Sequence, residues 1–169
     1  MSAKIYLTLL KSGVYLSLVS VFLVFSNLLF PFITSKQLFF NILIEILAVI
    51  WLAFIIKFPE FRPKKSLISF GLIGFFSAIL ISSIFSVDFN LSFWGDVERM
   101  LGFFNVLHFL FLYFIIITAF RSPKDWRNLF ILSVLVALGE SYYSLFIKYY
   151  GTIGNTSYVS GYIIFNIYF

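Results

Sequence analysis

Residues 38–56 read LFFNILIEILAVIWLAFII, a run interrupted only by the amide of Asn41 and the charge of Glu45. A helix needs about 20 apolar residues to cross the hydrocarbon of a bilayer. In lipid every backbone N–H and C=O must be paired within its own segment, so this run is predicted to be a transmembrane helix. Working outward, runs of the same kind occupy 13–33, 66–86, 100–120 and 129–147, and another starts at 158 and reaches 169. The expected fold class is all-α: a polytopic transmembrane helix bundle of five full spans and an incomplete sixth, forming a single domain over 1–169. The last run is too short to cross a bilayer, so the chain is expected to be the N-terminal part of a longer protein.

Composition agrees. The chain is 62% apolar and 11% charged, against about 25% charged residues in soluble domains, and its mean hydropathy is +1.04. With no cysteine, thiolate chemistry, disulfides and Cys-based zinc sites are excluded. The single histidine, His108, cannot build a His-rich metal centre, and no metal or cofactor is expected.

A net charge of +5 would suggest nucleic acid in a soluble protein. Here its distribution assigns it to topology instead. Lys4 and Lys11 precede the first run, Lys57, Arg62, Lys64 and Lys65 lie between the second and third, and Arg121, Lys124 and Arg127 lie between the fourth and fifth. If the spans alternate, these share one side, and only Lys36, Arg99 and Lys148 lie on the other. The bias puts the N-terminus in the cytoplasm. Trp126 at one interface and Tyr149 and Tyr150 at the other fit an aromatic belt. Lys4 and Lys11 resemble the basic start of a signal peptide, but Ser26-Asn27-Leu28 is no small-x-small cleavage site, so the first run is read as a retained helix.

Pro31 and Pro59 are expected near helix ends, where a missing N–H costs least. Ser122 is a plausible N-cap, with Pro123 at the first helical position. Two longer loops on the non-cytoplasmic side read VDFNLSFWGDVER (87–99) and KYYGTIGNTS (148–157).

Three ionisable residues fall inside predicted spans: Glu45, His108 and Glu140. Such residues usually face a bundle interior or a wet cavity. Counting from Lys36, Arg99 and Lys148, each lies roughly 12–14 Å below the outer helix ends. Asn41, Asn105 and Ser144 share their helix faces at i±3 or i±4 spacing, and Ser82, Ser83 and Ser86 line the outer half of the third span. One reading is a water-accessible cavity opening outward; the other is one interhelical hydrogen bond per residue. A Glu–His pair is also a means of moving protons.

In Trp94-Gly95-Asp96-Val97-Glu98-Arg99, Arg99 sits where the fourth span begins. A guanidinium fork there, beside helix N–H donors, suits a pyrophosphate. The competing reading is a local salt bridge to Asp96 or Glu98, with Trp94 in the aromatic belt. Gly151-Thr152-Ile153-Gly154-Asn155 lacks the spacing of a nucleotide-binding loop. It reads as a tight turn into the last helix, with Asn155 or Ser157 as cap. Asn90-Leu91-Ser92 and Asn155-Thr156-Ser157 match a glycosylation sequon, which matters only in a secretory pathway.

Two of these stretches resemble a known family together. Phe85-Ser86-Val87-Asp88, with Ser92-Phe93-Trp94-Gly95-Asp96-Val97-Glu98-Arg99-Met100-Leu101-Gly102, is similar to the "S-x-W-G-S-x-x-R-x-x-G" loop of bacterial O-antigen ligase-like and O-antigen polymerase-like membrane proteins. Gly151 to Tyr158, followed by Gly161-Tyr162, resembles that family's "G-T-x-G-N-P-N-Y-x-A-G-Y" segment. Thr156-Ser157 stands where Pro-Asn is usual, and Asp96 where Ser is common. The resemblance implies metal-independent glycosyl transfer at the outer face of the bacterial inner membrane. A glycan would move from undecaprenyl pyrophosphate to another glycan, to lipid A core or to a protein. It also implies that the large catalytic loop lies downstream of this chain. No catalytic residue is then expected here, and Arg99 is the one candidate for the donor pyrophosphate. Two other readings stay open: a small proton-coupled transporter or channel component built on Glu45, His108 and Glu140, and a membrane assembly partner without chemistry.

Overall fold

A computed structural model of the chain describes residues 2–96, 100–146 and 151–167. Every regular element among them is helical. Helix α1 spans Ala3–Val19 and is continued by a 3₁₀ turn to Phe22; α2 spans Pro31–Lys57 and α3 Leu67–Ile84. A short α4, Phe89–Trp94, precedes α5, Phe103–Ala119; α6 spans Pro123–Phe146 and α7 Thr156–Ile167. Four of these segments are long and apolar enough to cross a membrane: α1 with its 3₁₀ turn, α2, α3 and α6. The remaining expected crossing corresponds to α5, which is apolar but only 17 residues long. α7, at 12 residues, is a half-length helix.

The first helix lies N-terminal to its expected position, and the second begins before its expected start at 38. Lys4 and Lys11 do not precede α1 but belong to it. Lys11 is accommodated because its Nζ bonds Asp125 Oδ1 of α6 at 2.6 Å. The apolar residues 23–30 are non-helical rather than part of the first span. Pro31 explains this: it cannot accept a helix arriving from its N-terminal side, and it stands at the start of α2. The freed backbone is partly recovered by Phe25 N–H, which donates to Ser35 Oγ at 2.8 Å. Pro123 opens α6 as expected, and Ser122 and Asp125 cap it reciprocally, each backbone N–H reaching the other's side chain at 3.2 Å.

Helix α1 is central, packing on α2, α5 and α6; α5 also carries α3 and α4, and α7 lies along α6. The apolar core joins Leu10 and Val14 of α1 to Ile44, Leu47, Trp51 and Phe54 of α2 and Ile115 of α5. Gly13 lets α1 and α2 approach, since a Cβ there would lie 2.4 Å from Leu47 Cδ2. Trp51 Nε1–H donates to the fully buried Thr118 Oγ1 at 2.9 Å, tying α2 to α5 inside this core. α3 touches the bundle along one stripe, Ser69, Phe76 and Ser83, and Ser69 Oγ pairs with Tyr113 Oη at 2.9 Å.

Among the described residues, the basic side chains other than Lys36 gather at one end. Arg121 donates to the Glu60 carbonyl at 3.2 Å and lies over the Phe61 ring, which joins the α5–α6 turn to the α2–α3 turn. Residues 94–96, 100–102 and 151–155 lie toward the other end, around the start of α2.

Candidate functional site

The site begins with α4, which the sequence reading left as loop. Asp88 starts it by accepting the Leu91 N–H at 3.0 Å, and Gly95 ends it at φ 83°. Asp96 O then accepts the Met100 N–H at 2.7 Å, and Gly102 opens α5. Gly95 and Gly102 are in backbone contact. A Cβ on Gly102 would lie 2.2 Å from Gly95 N and 2.3 Å from Trp94 C. Gly102 is the residue the sequence reading undervalued; its place in the WGDVERMLG string was the available signal. Glu98 and Arg99 lie outside the described residues, as does Lys148.

Below this pinch, polar residues from α2 and α5 meet. Asn41 Nδ2 donates to Asn105 Oδ1 at 2.5 Å, and Asn105 Nδ2 donates to the Trp94 carbonyl at 3.0 Å. One amide therefore ties α2, α5 and the Trp94–Gly95 turn together. One turn deeper, His108 Nδ1 lies 2.8 Å from the Phe104 carbonyl, so that nitrogen must carry a proton. His108 Nε2 lies 3.3 Å from Glu45 Oε1. The two partners differ in access: the His108 side chain is 3% exposed and that of Glu45 55%. The Trp94 and His108 rings flank Phe104, with centroids 5.1 Å and 4.9 Å away.

A partly open cavity of about 370 Å³ lies between α2 and residues 94–96 and 100–105, with Asn41, Glu45, Trp94, Asp96 and Asn105 among its walls. A second cavity, about 580 Å³, lies between the chain leading into α2 (29–33), Leu101 and the Gly154–Asn155 turn. The two are neighbours, with Met100 on the first and Leu101 on the second.

Glu140 does not join Glu45 and His108. It is fully buried on α6, where the turn after α6 folds back onto it. Its Oε1 accepts the Thr152 N–H at 2.7 Å and the Ile153 N–H at 3.3 Å. Thr152 Oγ1 lies 2.6 Å from Glu140 Oε2 and 2.8 Å from the Val21 carbonyl, with one proton to give to either. Lys36 reaches the same turn, donating to the Thr152 carbonyl at 2.6 Å and the Phe32 carbonyl at 2.9 Å. Gly154, at φ 82°, packs so tightly on Phe32 that a Cβ would lie 2.6 Å from its ring. Asn155 caps α7, accepting the Ser157 N–H at 2.9 Å. Ser82, Ser83 and Ser86 line a separate cavity against α4. Among the described residues, no three His, Asp or Glu side chains converge as a metal site.

Asn105 is the joint of this arrangement. Asn105→Leu leaves the Asn41 amide and the Trp94 carbonyl without their partner and is expected to lower stability by about 1–2 kcal/mol. Protease cleavage within 87–102 should rise in the detergent-solubilised protein, read by mass spectrometry. Equal cleavage in variant and wild type would speak against the tether.

No protein-family model, no curated protein and no solved structure matches this chain.

Proposed function

We propose that this chain is the membrane region of an O-antigen ligase-like glycosyltransferase, set in a bacterial inner membrane with its basic end in the cytoplasm. The observation that carries this reading is convergence. The two stretches with the family resemblance, far apart in sequence, line neighbouring cavities around the start of α2. The chemistry of the smaller cavity supports a sugar as its occupant. An indole face can cover the apolar side of a pyranose, and the exposed carboxylates of Asp96 and Glu45 match its hydroxyls, while Asn41 and Asn105, bonded to each other and to the Trp94 carbonyl, hold that wall in place. Two carboxylates would repel a pyrophosphate, so that group belongs with Arg99. The chain's part in the reaction is to hold the lipid-linked donor in position. The chemical step and the acceptor belong to residues outside it.

The test uses the full chain in nanodiscs and three probes: undecaprenol, undecaprenyl pyrophosphate and a monosaccharide-bearing undecaprenyl pyrophosphate. Affinity is expected to rise at least tenfold across the series. Arg99→Ala should remove the pyrophosphate increment, and Asp96→Ala the sugar increment. A reporter fused after Trp94 should be active only outside the cytoplasm. Equal binding of all three probes would overturn the reading. The Glu45–His108 contact favours a second reading, a proton-coupled transporter. Proton flux in liposomes that is lost in Glu45→Gln, without donor binding, would replace the first reading with that one. A chain that neither binds donor nor carries protons is the assembly partner.

A further inference from the structure

At the basic end, Pro123, Trp126, Arg127, Phe130, Ile131, Val134 and Leu135 form a shallow, open groove of about 630 Å³ along one face of α6. Through Phe130 and Val134 it continues into a narrower crevice of about 170 Å³ between α1, α5, α6 and α7. From Pro123 to Leu135 the groove follows α6 for roughly 18 Å, close to the depth of one leaflet, about half of a 30 Å core.

The crevice asks for no polar ligand. Ser17 Oγ donates to the Val14 carbonyl at 2.7 Å, Ser133 Oγ donates to Asn166 Oδ1, and Asn166 Nδ2 donates to the Tyr162 carbonyl at 2.9 Å. The mouth is different. Lys11 is engaged by Asp125, and Arg121 by two carbonyls and a ring. Among the described residues, the Arg127 guanidinium pairs with no carboxylate and lies over no ring. Trp126, next to it on the lining, is a residue type suited to the headgroup level.

We propose that this groove binds an anionic phospholipid from the leaflet at the basic end. The phosphate sits on Arg127, and one acyl chain runs past Phe130 and Val134 into the crevice. A shallow groove about one leaflet long, adjoining an apolar crevice and cationic at its mouth, is complementary to that lipid class. A zwitterionic lipid fits the groove but carries no net charge for the mouth. This inference is independent of the glycosyltransferase reading.

Native mass spectrometry of the delipidated full chain, given equal amounts of phosphatidylglycerol and phosphatidylcholine, tests it. Occupancy by phosphatidylglycerol is expected to be about fivefold higher, the increment of one basic residue near an anionic head. Arg127→Gln should abolish that preference. Lys65→Gln, a residue that does not line the groove, should keep it. Val134→Trp, which fills the groove, should lower occupancy by both lipids. Equal occupancy in the wild type would overturn the proposal, as would a preference that survives Arg127→Gln. Lipid-free dimers that vanish in Val134→Trp would also overturn it, by assigning the groove to a second copy.

Discussion

Glu140→Ala is expected to lower the stability of the bundle by about 3–4 kcal/mol, since each hydrogen bond to a charged acceptor is worth about 1.5–3 kcal/mol and its buried donors would be left unpaired. Glu140 is fully buried and receives two backbone N–H groups from the returning turn. Alanine fills none of that space and accepts no bond. The turn would lose its seat on α6, and with it the wall that Gly154 and Asn155 give the larger cavity. Glu140→Gln separates hydrogen bonding from charge. Its carbonyl can accept the two N–H groups, and its amide can donate to Thr152 Oγ1, freeing that hydroxyl's proton for the Val21 carbonyl. Glutamine is therefore expected to cost less than half of what alanine costs. Reversible unfolding in detergent, followed by tryptophan fluorescence, measures both. If glutamine is as damaging as alanine, it is the charge, set against Lys36, that holds the turn.

Gly102→Ala should be nearly as severe, about 3 kcal/mol, at the upper end of what overpacking costs. The backbone at Gly102 has φ −70°, which any residue adopts, so the penalty is purely spatial. The atoms a Cβ would meet, Gly95 N, Trp94 C and Phe93 O at 2.2–2.5 Å, are backbone and cannot rotate away. Relief requires the 95–102 loop to open, which moves the Trp94 carbonyl off Asn105 and widens the smaller cavity. Gly74→Ala is the control. Nothing lies within 4 Å of that position in α3, and alanine there should be neutral or stabilising by up to about 1 kcal/mol. A Gly102→Ala protein as stable as Gly74→Ala would show that the pinch is not needed.

Much of this site was readable in the sequence because polar residues are costly in lipid. Asn41, Glu45, Asn105 and His108 stood out against apolar runs, and their common depth followed from helix rise. Depth alone carries no azimuth, however. Glu140 lies at the same expected depth as Glu45 and His108, yet belongs to a different cluster, because α6 turns that face toward the returning 151–153 turn. Helix starts were misread where a charge hid a helix, as with Lys11 in α1. They were also misread where an apolar run hid a break, as at 23–30. In each case the deciding partner was distant: Asp125 for Lys11, and Ser35 for the Phe25 N–H.

The sequence by itself determined that the chain is helical and suited to lipid, and which few residues carry polarity, because the hydrophobic run and the obligation to pair backbone groups act locally. Only the tertiary structure decided which of those residues meet. Contact between helices depends on the direction each face takes and on how closely Gly13 lets α1 approach Leu47 of α2. Those distances arise from packing between segments dozens of residues apart, which no local pattern records.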